Sequence, residues 1–255
     1  MSGTGSLEPA SWDSRRTSFG SVAAQYAALR PSYPDDAVRF LLGETPRRVL
    51  DLGAGTGLLT ERLVAAGHEV VAVDPSAEML AQLAARLPDV VLHVGAAEQI
   101  PLPDGEVDAV VAGQAAHWFD PASAAPEIAR LLRPGGVLGL IWNARDERVP
   151  WVAALGELLS DEERGHEADQ TVVQRFAHVL GATDECREFT IVQTVEPEQV
   201  VAGIATRSYA AIMDADRLDR FLGRIRDLLA THPDTRGRTR LELPYVTAAH
   251  RLVPA

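Results

Sequence analysis

The sequence contains no lysine. All 24 basic side chains among its 255 residues are arginine, set against 36 acidic ones, for a formal charge of −12. Without lysine there is no Schiff-base chemistry, no phosphate-loop lysine and no catalytic lysine base. A GC-rich genome that favours arginine codons produces the same bias, and the exclusions hold whatever its origin. So acidic a chain lacks the uniform positive field on which sequence-independent nucleic-acid binding draws, so no nucleic-acid partner is expected. The single cysteine, Cys186, rules out an intrachain disulfide and a cysteine-rich metal site, and suits a reducing cytosol. No run approaches the 18 apolar residues of a membrane span, and Met1 to Ser18 has no apolar stretch of the kind found in a secretory signal. The expectation is a cytoplasmic protein with no metal and no membrane partner, whose residues 1–18 form a flexible tail.

What is present is an alternation. From Arg47 to Asn143 short β-branched runs trade places with Ala/Leu-rich stretches. Strands are expected at Val49–Leu52, Glu69–Asp74, Val90–Val94, Val107–Val111 and Val137–Trp142. Helices are expected at Leu58–Ala66, Ala77–Arg86 and Pro121–Leu132. Repeated βα units of this length imply a parallel sheet with helices on both faces, and ligands of such sheets sit at the C-terminal strand ends. Pro34–Leu42 reads as a helix opened by proline and two aspartates. Further on, Trp151–Leu159 and Val172–Leu180 read as helices and Glu188–Val195 as a strand. Glu198–Met213 and Asp216–Ala230 read as amphipathic helices, Thr231–Arg240 as an exposed loop and Arg240–Leu252 as a last strand.

Asp51-Leu-Gly53-Ala-Gly55-Thr-Gly57 follows one expected strand and opens a helix, the setting of a nucleotide-cofactor loop. A dinucleotide fingerprint read from Gly53 or Gly55 would need glycine where Leu58 or Thr60 stands. Asp51 at the strand end would repel a pyrophosphate and attract an ammonium. S-adenosylmethionine has an ammonium and no phosphate, so the loop favours it over NAD. Asp74 ends the second strand, 23 residues after Asp51, where a carboxylate can accept both ribose hydroxyls.

Tyr26-Ala-Ala-Leu-Arg30-Pro-Ser-Tyr33-Pro, the glycine loop, Val73-Asp74-Pro-Ser, Gly95-Ala-Ala-Glu98-Gln-Ile-Pro101, Gln114-Ala-Ala-His117-Trp118-Phe-Asp120 and Leu132-Arg-Pro134-Gly135-Gly136 occur in that order. Together they resemble the class I S-adenosylmethionine-dependent methyltransferases, with motifs similar to the trans-aconitate methyltransferase subgroup. The resemblance implies a Rossmann-like α/β fold: a seven-stranded sheet, mostly parallel with the last strand antiparallel, helices on both faces, and a helical insertion before that strand. Residues 19–255 would form one domain. The resemblance also implies that Gly53, Gly55 and Gly57 line the methionine portion and that Asp74 binds ribose. Many relatives place an acidic side chain where Ala96 stands here, which leaves the adenine contact to Ala97 and Glu98, with Met79 against its face. Gln114 joins this cofactor set.

Methyl transfer requires alignment and exclusion of water, and a general base is optional. Gln114–Trp118 lacks the N/D-P-P-Y/F pattern used on planar amino groups and the Pro-Cys nucleophile of cytosine-C5 enzymes, which points to a small-molecule acceptor. His117 is a candidate base or donor, or a loop histidine packed on Trp118. By resemblance Tyr26, Arg30 and Tyr33 fold over the cofactor, with Arg30 suited to its carboxylate. Trp142, Asn143 and Arg145 at the fifth strand's end offer a wall, an amide and a cation to the acceptor. Residues 196–240 read as a lid or as a docked helix pair or dimer contact, with Arg207, Ser208 and Tyr209 as inward candidates. His117, Tyr26 and Asn143 are therefore the catalytic candidates, and Tyr33, Trp118, Trp142, Arg145, Arg207 and Tyr209 the acceptor contacts. The chain is expected to be a monomer or homodimer methylating a carboxylate or hydroxyl. An NAD(P)-dependent oxidoreductase and a cofactor-binding scaffold without turnover stand as alternatives. An arginine facing the acceptor space, Arg30, Arg145 or Arg207, would point to a carboxylate-bearing acceptor.

Overall fold

The computed structural model describes residues 30–160, 169–207 and 209–254. Tyr26 and Ser208 lie outside them. The elements run α1 (Asp35–Leu42), β1 (Arg48–Leu52), α2 (Leu58–Ala65), β2 (Glu69–Asp74), α3 (Ala77–Arg86), β3 (Val91–Val94), β4 (Val107–Gly113), α4 (Pro121–Leu131) and β5 (Leu132–Arg145). They continue with α5 (Pro150–Leu159), α6 (Asp169–Leu180), β6 (Thr183–Val195), α7 (Pro197–Ala205), α8 (Ala215–Thr231) and β7 (Leu241–Val253). Short 3-10 turns stand at Ala116–Trp118 and Ala210–Ile212.

One seven-stranded sheet carries the fold, in the order β3-β2-β1-β4-β5-β7-β6. The pairings among β1 to β5 are parallel, and β7 lies antiparallel between β5 and β6. The strand order reverses between β1 and β4, and that switch point opens a crevice at the C-terminal ends of the strands.

Strand alternation sorts the apolar side chains onto two faces. Leu50, Leu52, Val110 and Leu140 pack with α4 and α6, including Ile128 and Phe176. Val49, Val111, Val137 and Ile141 pack with α1 and α2, including Leu41 and Leu63. A third cluster joins α5, α7 and α8 to the start of β7 through Leu155, Ile204, Ile225 and Leu243. Arg130 on α4 fastens the segment before β4: its guanidinium donates to the carbonyls of Ile100 and Leu102 (3.1 and 2.8 Å) and pairs with Asp104 and Glu127. Among the described residues no helix is long and apolar enough to cross a membrane.

The expected helix Glu198–Met213 stops at Ala205. The Thr206 hydroxyl donates to the Gly203 carbonyl (2.7 Å) and the Arg207 amide to that of Ile204 (3.0 Å), so the chain tightens and turns away. β5 and β6 are longer than expected, beginning at Leu132 and Thr183, while β7 keeps its expected length one residue further on, at Leu241–Val253. The added ladder bonds of β5 and β6 run into polar, mostly exposed sequence that carries no period-two signal.

Candidate functional site

At the switch point lies a cavity of about 1240 Å³, counting the open space at its mouth. Its floor is the turn between β1 and α2. Gly53, Gly55 and Gly57 all hold left-handed φ angles, of 73°, 56° and 86°. A Cβ on Gly53 would stand 2.6 Å from the Ala115 Cβ, whereas one on Gly55 would meet no protein atom within 4 Å. Gly53 thus permits close packing of loop on loop, and Gly55 turns bare backbone towards open space. Gly53 and Gly55 line the cavity; Gly57 does not, and packs instead against Leu83.

Asp51 lies in this wall with 0% exposure. Its Oδ2 accepts from the Thr60 hydroxyl (2.6 Å), while the buried Oδ1 has no hydrogen-bond partner among the described residues. Burial raises its pKa from 3.8 to about 7; the Thr60 bond opposes the rise and the nearby Asp74 carboxylate adds to it. A buried carboxylate with one oxygen unpaired fits an ammonium group.

Asp74, at the end of β2, takes the Gly55 amide on Oδ2 (2.9 Å) and the Ser76 amide on Oδ1 (2.8 Å), which holds its carboxylate at the cavity edge. Beyond it Met79, Gly95, Ala97 and Phe119 form a largely apolar recess. Glu98 stands outside it: its carboxylate accepts the Asp120 amide (3.0 Å) and so supports the turn into α4.

The opposite end of the cavity is formed by Arg30, Tyr33, Gln114, Trp118, Asn143, Arg207 and Tyr245. Gln114 holds φ 55°, unusual for a residue with a side chain. Its amide donates to the Ile141 carbonyl (2.9 Å) and its Nε2 to that of Asn143 (3.0 Å), fixing β4's end against β5's. The Asn143 side chain donates to the Ser32 carbonyl (3.0 Å) and accepts from the Thr247 hydroxyl. Asn143, the only asparagine of the chain, therefore uses its side-chain amide to join the segment before α1, β5 and β7.

Four further candidates stand elsewhere than at the main cavity. His117, on the 3-10 turn, packs its ring against Trp118 (centroids 5.0 Å apart) and is not among the residues lining the cavity, although Trp118 is. Trp142 has 3% exposure and sits in the core with its ring edge-on to His250, because successive strand residues face opposite sides and Asn143 takes the cavity side. Tyr209 is buried against Phe221 in the α5, α7 and α8 cluster. Arg145 lines a smaller adjoining cavity rather than the main one.

Tyr245 and Phe119 were not anticipated as site residues. Tyr245 enters from β7, more than 200 residues after Tyr33 in the chain, and no local motif marks it. Its position on the buried alternation Leu241, Leu243, Tyr245, Thr247 was the available signal. Cys186, His250 and Asp184 also come together: His250 Nδ1 lies 3.0 Å from Asp184 and its Nε2 3.6 Å from the sulfur. Cys186 is exposed as a residue, yet partial burial of its thiol and the charges of Asp184 and Glu188 push the thiol pKa up, the reverse of what a nucleophile needs.

Residues 50–140 match the family model for a methyltransferase domain. An uncharacterized methyltransferase of Mycobacterium tuberculosis is 48% identical over 234 residues, covering 92% of this chain and 94% of that protein. An uncharacterized methyltransferase-like protein of Schizosaccharomyces pombe is 32% identical, covering 91% and 93%. The fold is similar to that of a proposed type II methyltransferase from Anaeromyxobacter dehalogenans (TM-score 0.69, 25% identity, covering 88% and 97%). With a glycine loop, paired strand-end carboxylates and this sheet order in one chain, the protein belongs to the class I S-adenosylmethionine-dependent methyltransferases.

Proposed function

We propose that the protein methylates an oxygen, of a carboxylate or a hydroxyl, on a small-molecule acceptor. The observation that carries the cofactor half of this reading is Asp51, a buried carboxylate with one oxygen unpartnered among the described residues, in the cavity wall beside the glycine loop. Asp51 holds the cofactor's ammonium and Asp74 accepts the ribose hydroxyls. Met79, Ala97 and Phe119 enclose the adenine, and Arg30 faces the cofactor carboxylate. When bound, S-adenosylmethionine supplies a methyl group already activated by positive sulfur for in-line displacement. What remains for the chain is to align the acceptor oxygen and exclude water. Tyr33, Trp118, Arg207 and Tyr245 do this at the acceptor end, and residues 196–240 act as a lid whose Arg207 reaches the cavity just beyond the end of α7. A dinucleotide fits this site less well, because Asp51 would face its pyrophosphate.

Calorimetric titration with S-adenosylmethionine, S-adenosylhomocysteine and NADH tests the cofactor. The sulfur ligands should bind and NADH should not. Mass spectrometry of a panel of carboxylic acids, alcohols, thiols and amines after incubation with the cofactor tests the acceptor. Gain of a methyl ester or ether supports the proposal, and methylation confined to amines or thiols defeats it.

A further inference from the structure

Adjoining the main cavity is a second one of about 390 Å³, counting the open space at its mouth, lined by residues of α5, α7 and the ends of β5, β6 and β7. Arg30, Arg207 and Tyr245 line both cavities; Arg145, Gln193 and Gln199 line only the second. The polar residues of this wall are three arginines, two glutamines and a tyrosine, and the remainder is apolar. A chain of net charge −12 has thus gathered three of its 24 arginines around one recess. All three act electrostatically on the Tyr245 hydroxyl, so it lies within reach of all three charges.

We propose that this side cavity is an anion-binding subsite in which Arg145, Arg207 and the Tyr245 hydroxyl hold a carboxylate or phosphate group of the methyl acceptor. The inference rests on the methyltransferase reading above and narrows its substrate class. Tyr245 is 5% exposed, and burial raises its phenol pKa although the arginines pull it down, so at neutral pH the hydroxyl is a donor. Guanidinium and phenol donors together satisfy an oxyanion, with the planar fork of arginine suited to either geometry. Gln193 adds a buried Oε1 with no hydrogen-bond partner among the described residues, an acceptor suited to a hydroxyl on the same ligand. An oxygen gripped by guanidinium groups has its lone pairs engaged and is a poor nucleophile. The anchored group is therefore not the one methylated. The acceptor carries at least two functions: an anion held in the side cavity and an oxygen presented past Tyr245 to the main cavity.

The test titrates the full chain, saturated with S-adenosylhomocysteine, with glutarate, citrate, inorganic phosphate and neutral dimethyl glutarate at low ionic strength. An anionic probe should bind and the neutral ester should not. Binding of carboxylates without phosphate identifies a carboxylic acid acceptor, and the reverse a phosphate ester. Arg145→Gln should weaken the anion about tenfold or more, since a charge-assisted hydrogen bond is lost, while S-adenosylhomocysteine affinity and melting temperature stay near wild type. Arg145→Lys should fall between the two. If Arg145→Gln does not fold, Arg145→Lys and Tyr245→Phe decide the matter in the same titration, with unchanged anion affinity in both counting against the subsite. Binding of S-adenosylhomocysteine with no binding of any anion, or anion binding indifferent to these substitutions, overturns this inference alone. Failure of wild type to bind S-adenosylhomocysteine overturns the function proposed above and this subsite with it.

Discussion

Ionising Asp51 inside the folded chain is unfavourable, because it is fully buried and only Thr60 stabilises the charge. Its pKa of about 7 sets a pH dependence with a definite sign. Below that pH the carboxyl is neutral and must release a proton to hold an ammonium, so affinity for S-adenosylhomocysteine should fall, approaching tenfold per pH unit. Above it the affinity should level off. Calorimetry between about pH 5.5 and 8, in buffers of different ionisation heat, should show proton release on binding at the acid end only. Asp51→Asn should bind about tenfold or more weakly with a flat profile, and a flat profile in the wild type would remove Asp51 from ammonium binding. Gly53 makes a different demand. Gly53→Ala would drive a methyl against Ala115 at a φ of 73°, so unfolding in denaturant should show a loss of about 1–3 kcal/mol. Residues of this kind were legible because strand-end spacing and glycine clustering are local. Trp142 and Asn143 were harder to separate: sequence places both at a strand end, and only the direction of the pleat decides which one meets the cavity.

At the scale of elements, the helices between β6 and β7 show what would hold the proposed lid in place. α7 and α8 bury Val201, Ile204, Phe221 and Ile225 against α5 and β7, while the outer face of α8 is charged. Ile225 is fully buried, so Ile225→Ala should destabilise by about 2–5 kcal/mol. If these helices unfold apart from the sheet, hydrogen exchange will show the loss confined to residues 196–240, with protection in β1 and β4 retained; a uniform loss would make the region an integral part of one folding unit. The βα alternation up to β5 could be read almost element by element, since each strand is an apolar run bounded by turn residues. The later elements were read less well for physical reasons. β6 is exposed along most of its length and takes its extent from pairing with β7. The end of α7 depends on the Thr206 hydroxyl, a bond that periodicity does not report. The acceptor end was the least legible, because it is assembled from the segment before α1, the end of β5, the turn after α7, and β7, and no single stretch of sequence contains it.

For the whole molecule, the charge balance governs how ligands arrive. Many surface arginines are locally compensated: Arg48 by Glu69 and Glu106, Arg86 by Glu61, Arg133 by Asp108, Arg148 by Asp146 and Arg226 by Glu198. Such exposed pairs add little to stability but leave the excess of 12 carboxylates to set the distant field. S-adenosylmethionine carries net positive charge and should be drawn in, whereas S-adenosylhomocysteine, a neutral zwitterion, should be indifferent. Screening shortens the reach of the field from about 30 Å at 0.01 M salt to about 8 Å at 0.15 M. The association rate of S-adenosylmethionine should therefore fall about two- to fourfold over that range while that of S-adenosylhomocysteine stays level. Stopped-flow fluorescence from Trp118, which lines the cavity, can follow both. An anionic acceptor of the kind proposed faces the opposite problem: it would have to cross the repulsive field before the arginines of the side cavity could hold it, so its association rate should rise with salt even as its dissociation quickens. If the two cofactor forms show the same salt dependence, the acidity of the chain serves its solubility and has no part in bringing ligands to the site.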